Sequence, residues 1–130
     1  QYLCASPAYL AAHGIPQKPA DLASHRCLGS ILDHWRFVEN GKLRNRRVGS
    51  AWSCNSGLVA RDAALKGLGI VQLPDYYVQE ELKQGLLVSL LEEYRLPDDG
   101  IWVVYPHNRH LSPKVKLLVD FLVKNLGARV

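Results

Sequence analysis

The chain has 130 residues, of which 48% are hydrophobic and 22% are charged, the proportions of one ordinary globular domain. No apolar run reaches the roughly 18 residues that cross a bilayer, and the first residues do not resemble a secretion signal. The formal net charge of +4 permits a weak attraction to polyanions without requiring one. Because the sequence contains no Met, we expect Gln1 to lie within a longer protein.

The three cysteines, Cys4, Cys27 and Cys54, are widely spaced among apolar residues and form no CxxC pair. Their odd number and spacing favour buried free thiols in a reducing compartment; one disulfide with a free thiol is the alternative. We therefore predict a cytoplasmic protein.

The first predicted elements are a strand, a helix and a second strand. Residues 2–5 are apolar and predict a strand. Ser6, followed by a proline, predicts the start of a helix that ends at Gly14. Residues 21–25 predict one helical turn, and residues 27–32 predict a buried strand.

A hairpin is predicted next. Residues 35–39 alternate between apolar and polar side chains, and Asn40-Gly41 is a strong signal for a two-residue hairpin turn. The return strand is expected at residues 42–49 and is expected to continue through residues 51–54.

Alternating helices and strands follow the hairpin. Asn55-Ser56 can cap a helix that runs to Gly67, and residues 69–73 predict a short strand ended by a proline. Residues 75–84 predict a helix with a glycine stop, and residues 86–91 are apolar again. This alternation indicates an α/β fold with a central mixed sheet.

The last predicted elements are a strand at residues 101–105 and a helix that begins at Ser112-Pro113 and ends at Gly127. The helix carries apolar residues at positions i, i+3, i+4 and i+7, so we expect this face to be buried. The positions are Val115, Leu118, Val119 and Leu122.

Three patterns that could carry catalysis or bind a cofactor are weak. Ser56 lacks the glycine that a hydrolase nucleophile elbow requires before it. His107 and His110 lie three apart in a predicted loop with no third metal ligand nearby. Gly67-Leu68-Gly69 lies between a helix and the following strand, whereas phosphate loops lie between a strand and the following helix. We predict no catalytic residues, no metal and no cofactor.

The segment at residues 42–47 (KLRNRR) is strongly basic. Alternation on the hairpin places Arg44 and Arg46 on one face and Arg47 on the other. The segment could contact phosphates, but no aromatic residue is interleaved for base stacking. A solvated hairpin face is the simpler interpretation.

The best candidate for a ligand site joins a predicted strand to a helix start. Free amides and the positive end of the helix dipole lie there beside small polar side chains, which favours a carboxylate or a similar anion. Plain helix capping explains two of these residues equally well. The candidate residues are Ser53, Asn55 and Ser56, with Gly29 and Ser30 at a second, weaker strand end.

The ordered set of short strings along the chain resembles the effector domain of LysR-type transcription regulators. No single string is decisive, but their order and spacing are specific, and the resemblance covers residues 3 to 126. The strings lie at residues 6–10 (SPAYL), 14–16 (GIP), 19–22 (PADL), 25–28 (HRCL), 35–37 (WRF), 63–74 (AALKGLGIVQLP), 82–90 (LKQGLLVSL), 101–106 (IWVVYP) and 109–115 (RHLSPKV).

This resemblance implies a fold like that of type 2 periplasmic binding proteins, with an effector bound in a cleft between two α/β lobes. Residues 1–98 then resemble the second lobe. Residues 99–130 resemble the return hinge strand and a helix of the first lobe. Most of the first lobe and the winged helix-turn-helix that contacts promoter DNA are expected to lie outside this chain.

The resemblance also implies roles for individual residues. The candidate ligand-site residues match pocket positions, and Tyr105 and Pro106 lie near the hinge. The family usually forms dimers of dimers through contacts between effector domains. We hypothesise that residues 47–66 form part of this contact. The function implied is sensing of a small effector, without membrane attachment. The alternatives are a lobe of an extracytoplasmic solute-binding protein and, less well supported, a small hydrolase.

Overall fold

Seven strands, three α-helices and two 3-10 turns form the first of two units in the computed structural model, which describes residues 1–29, 34–97, 102–105 and 112–126. The first unit is Gln1–Asp99 and the second is Gly100–Val130. In chain order the elements of the first unit are β1 (Tyr2–Ala5), α1 (Pro7–His13), a 3-10 turn (Pro19–Ser24), β2 (Cys27–Gly29), β3 (His34–Glu39), β4 (Lys42–Arg47), β5 (Ser50–Ser53), α2 (Gly57–Leu65), β6 (Val71–Leu73), α3 (Asp75–Lys83), β7 (Val88–Leu90) and a 3-10 turn (Glu92–Tyr94).

Five of the strands form two groups with mixed parallel and antiparallel pairing, as predicted, and β3 and β4 form a separate hairpin. Strand β1 pairs antiparallel with β6 on one side and β7 on the other, while β2 and β5 are parallel. A parallel bridge between Cys27 and Ile70 joins these two groups. Here the Leu28 N–H donates to the Ile70 carbonyl and the Ile70 N–H donates to the Arg26 carbonyl, both at 2.8 Å. The resulting order is β5, β2, β6, β1, β7.

Both faces of this sheet are covered by apolar side chains. Neighbouring residues of one strand point to opposite faces, so Leu3 and Ala5 belong to one core cluster and Cys4 to the other. The first cluster includes Tyr9 of α1 together with Trp35 and Phe37 of the hairpin. In the second cluster, helix residues pack against strand residues. The helix residues are Ala60, Ala63, Ala64 and Val78, and the strand residues are Val71 and Leu73.

The predicted helix ends are confirmed. Ser6 caps α1, and its Oγ accepts a hydrogen bond from the Tyr9 N–H at 3.2 Å. Gly14, Gly67 and Gly85 end or follow the helices with positive φ angles of 83°, 75° and 72°. Glycine adopts this conformation without the steric penalty that a Cβ atom would impose.

The hairpin is also confirmed, but its predicted extension is wrong. Asn40 and Gly41 both have positive φ angles, as a type I′ turn requires, and Glu39 pairs with Lys42 across it. Strand β4 ends at Arg47, and β5 is a separate strand that pairs parallel with β2. A hairpin turn selects only the nearest partner, so alternation along the sequence could not reveal this change of sheet.

The second unit departs from two predictions. Residues 102–105 form no strand with any described residue, because β propensity alone does not provide a pairing partner. Helix α4 (Pro113–Leu126) forms as predicted, but none of its described residues is buried. Leu118 is 56% exposed, whereas Val115, Val119 and Leu122 are half-buried.

Candidate functional site

Gly29 and Ser53 lie side by side at the carboxyl ends of β2 and β5. They are paired in the parallel register, and the Cys54 N–H donates to the Gly29 carbonyl at 3.1 Å. Gly29 is buried, and a Cβ atom there would overlap the Oγ of Ser50. The two strand ends that the sequence suggested separately therefore form one edge of the sheet.

Helix α2 begins at this edge. Ser56 is its N-cap: the Ser56 Oγ accepts from the Val59 N–H at 3.4 Å, and the Ser56 carbonyl accepts from the Ala60 N–H at 3.0 Å. Asn55 is exposed and Ser56 is half-buried. The capping interpretation of Ser56 is thus confirmed. Capping leaves amides in the first turn of α2 and the positive end of its dipole available to an anion.

The thiol of Cys54 lies between the strand end and the helix start. Its Sγ is 3.2 Å from the Ser56 carbonyl oxygen, and its side chain is half-buried. This weak hydrogen bond holds the turn that joins β5 to α2.

A contact that the sequence did not predict lies behind the helix start. The aromatic ring of Tyr77 in α3 lies so close to Gly57 that a Cβ atom there would be 2.6 Å from the ring. Only glycine therefore allows α2 and α3 to approach this closely. The signal available in the sequence was a glycine in the first turn of a helix, where a residue with a side chain is more usual.

Several predicted residues lie outside the described residues or in the second unit. Ser30, Pro106, His107 and His110 belong to the ranges that the structure does not describe. Tyr105 lies in the second unit and is 45% exposed.

Gly67 and Gly69 have the structural roles that the sequence favoured. Gly67 follows α2 with a φ angle of 75°. A Cβ atom at Gly69 would overlap the Arg26 carbonyl oxygen and lie 3.2 Å from the Arg26 carbonyl carbon. Gly69 therefore permits the close approach of the chain to β2.

An open groove of about 590 Å³ lies beside α3 and β7, at the edge of the sheet opposite β5. Its lining includes Tyr2, Gln79 and Val88. None of the four described candidate residues lines this groove, so it is a feature distinct from the edge formed by β2, β5 and α2.

The described ranges contain no cluster of three or more His, Cys, Asp or Glu side chains suited to a metal ion. No helix there has both the length and the apolar character needed to cross a membrane.

The described thiols are free, as predicted. Burial raises the pKa of Cys4 from 9.0 to about 12, and the nearby charge of Glu81 adds to this effect. Burial likewise raises the pKa of Cys27 to about 11. These two thiols are therefore protonated at neutral pH and are poor nucleophiles.

Comparison with known proteins gives a family match over nearly the whole chain. Residues 1–127 match the family described as LysR substrate binding domain. The chain is 33% identical over 128 residues to the HTH-type transcriptional regulator CrgA of Neisseria meningitidis, covering 95% of this chain and 42% of CrgA. The chain spans about two fifths of the length of the curated relatives that it matches.

Solved structures show the same similarity. The regulatory domain of CrgA from Neisseria meningitidis superposes with a TM-score of 0.73 and 30% identity, covering 97% of this chain and 64% of that one. The full-length Vibrio cholerae virulence activator AphB superposes with a TM-score of 0.78 and 30% identity, covering 95% of this chain and 44% of that one. These similarities support the type 2 periplasmic-binding-protein-like fold.

Proposed function

Since the chain belongs to the family of LysR substrate binding domains, we propose that it senses a small, anionic effector for a DNA-binding transcription regulator. The observation that carries this proposal is the convergence of β2, β5 and the start of α2 on one sheet edge. In open α/β sheets, ligands bind at the carboxyl ends of strands.

The proposed binding residues are Ser53, Asn55 and Ser56, together with Gly29 and with Ser30, which lies outside the described residues. Ser53 and Asn55 are exposed, so their side chains can reach a ligand. The amides in the first turn of α2 add hydrogen-bond donors and a positive partial charge. This combination favours a carboxylate over a cation or a neutral apolar molecule.

The proposed mechanism is a shift between conformations. Residues 1–98 would form the second lobe, and residues 99–130 would return to the first lobe through a hinge at Tyr105 and Pro106. An effector that bridges the lobes can shift the regulator only by its difference in affinity for the two lobe arrangements. The favoured arrangement would then alter how the DNA-binding domains sit on a promoter.

The partners of the whole regulator are part of the same proposal. Promoter DNA would be bound through a winged helix-turn-helix in the part of the relatives' length that this chain does not span. Residues 47–66 would contribute to a homodimer or tetramer, and a neighbouring lobe or chain would cover α4. We place the regulator in the cytoplasm.

A sensor binds its ligand without converting it. CrgA and AphB are transcription regulators, which supports a role without catalysis and does not favour the solute-binding or hydrolase alternatives. The test is a thermal-shift screen with citrate, glutamate and benzoate, followed by product analysis of each mixture. We expect at least one carboxylate to raise Tm, with no product formed.

Substitutions of the candidate residues then test where the carboxylate binds. Asn55→Ala and Ser53→Ala should abolish the rise in Tm, because both remove exposed polar groups at the sheet edge. Gln79→Ala is the matched control, since it also removes an exposed polar group but touches no proposed ligand contact. Retention of the full shift in Asn55→Ala and Ser53→Ala would place the anion elsewhere, and product formation would favour an enzyme.

A further inference from the structure

The net charge of the chain is concentrated in one hairpin. Residues 34–47, which include β3 and β4, contain five Lys or Arg residues and one Glu, a formal net charge of +4. The remaining residues contain eleven basic and eleven acidic side chains, which cancel. The whole formal charge of +4 therefore resides in 14 consecutive residues.

Much of this charge faces solvent. Lys42 and Arg44 are exposed, and β4 pairs with β3 and with no other described strand. Arg46 is half-buried and forms a two-pronged ion pair with Glu39, which lowers the pKa of that carboxyl group. The Glu39 carboxylate is thus held by Arg46, and the nearby charge of Arg44 lowers its pKa further.

Protection of an open strand edge explains part of this pattern, because charged side chains, Lys especially, prevent strands from pairing at an edge. Lys42, Arg44 and Arg46 recur on one face of β4, opposite Glu39, Phe37 and Trp35. Three like charges on one face of a strand favour an anionic partner, which edge protection by itself does not require.

We propose that the β3–β4 hairpin docks on the phosphate backbone of duplex DNA without reading its sequence. This rests on the proposed function, because a regulator that holds a promoter through another segment brings duplex DNA within reach. Lys42 and Arg44 are the principal contacts. They lie about 6.8 Å apart along the strand, so their side chains can reach separate phosphates of one DNA strand.

The chemistry of this face favours DNA over an acidic protein. Protein interfaces have an apolar, aromatic-rich centre, but Trp35 and Phe37, which share the face of Arg44, are buried. Phosphate contacts require cationic side chains and no such centre. Without an aromatic residue between the cations, base stacking is absent and the contact is electrostatic.

The test measures how the affinity of the chain for a random-sequence DNA duplex depends on salt, by fluorescence anisotropy. Each lost phosphate contact reduces the slope of log K against log salt by about 0.9. For the variant Lys42→Gln/Arg44→Gln, this slope should therefore be smaller by about 1.8. The variant should also bind DNA roughly tenfold more weakly at 50 mM salt. Lys114→Gln/Lys116→Gln removes the same charge from two exposed positions in α4 and should keep most of the slope.

Both variants are first checked by thermal unfolding. Should the hairpin variant lose cooperative unfolding, Arg44→Gln alone replaces it, with an expected slope change of about 0.9. Equal slopes for the hairpin and α4 variants would overturn the proposal. So would hairpin-dependent binding to poly-glutamate without binding to DNA, which would indicate an acidic protein partner. The carboxylate screen, run on the same variants, reports separately on effector sensing.

Discussion

The side-chain amide of Gln72 pairs with the backbone of Arg36 as if it were a neighbouring strand. The Arg36 N–H donates to Gln72 Oε1 at 3.2 Å, and Gln72 Nε2 donates to the Arg36 carbonyl at 3.0 Å. Gln72 lies in β6 and Arg36 in β3, so these two hydrogen bonds connect the β3–β4 hairpin to the sheet that contains β6. This relationship joins positions 36 residues apart.

Gln72→Ala should therefore destabilise the fold. It removes two hydrogen bonds and leaves two partly buried backbone groups of Arg36 without these partners, at a cost of about 1–3 kcal/mol in the free energy of unfolding. Urea denaturation measures this change. Gln79→Ala, at an exposed position of α3, is the control and should change stability by less than about 0.5 kcal/mol. Equal effects of the two substitutions would contradict a fastening role for Gln72.

Gly69 should not tolerate even a methyl group. In Gly69→Ala the new Cβ atom would overlap the Arg26 carbonyl oxygen, which accepts the Ile70 N–H in the bridge between the two strand groups. Because backbone must move to relieve this overlap, we expect a loss of about 1–3 kcal/mol. Gly49→Ala is the matched control: nothing lies within 4 Å of its Cβ position, so the change should be neutral or slightly stabilising. Thermal unfolding of the pair decides between these expectations.

The three thiols should react in a fixed order. At pH 8 a thiol reagent should modify half-buried Cys54 first, whereas Cys4 and Cys27 should react only as the chain unfolds. Cys54→Ser should abolish the fast phase and leave the slow one. Equal rates for all three thiols would show that the core opens readily without unfolding.

The same thiols predict how stability depends on pH. The pKa values of Cys4 and Cys27 are raised in the folded state to about 12 and about 11, from 9.0 in the unfolded chain. The unfolded state therefore releases these protons first as pH rises. The stabilisation that the thiols contribute is complete below pH 9 and is lost progressively above it. Chemical denaturation between pH 8 and pH 11 should show falling stability, and Cys27→Ala should make that fall less steep.

Local structure was largely predictable because its causes lie within a few residues. The cap at Ser6, the turn at Asn40-Gly41 and the glycine stop after α2 each depend on hydrogen bonds or φ angles of adjacent residues. The order of the short sequence strings resembled that of a known family, and this resemblance predicted a fold with two α/β lobes. The candidate residues Ser53, Asn55 and Ser56 could be proposed because a strand end followed by a helix cap is itself a local pattern.

The tertiary structure alone decided which distant segments meet. Alternation could not reveal that β4 and β5 belong to different sheets, that residues 102–105 would lack a described partner, or that Tyr77 lies against Gly57. Nor could it show that Gly29 and Ser53 share one sheet edge. The physical reason is that periodicity specifies which face of an element is apolar, whereas the partner of that face depends on packing between residues far apart in the chain.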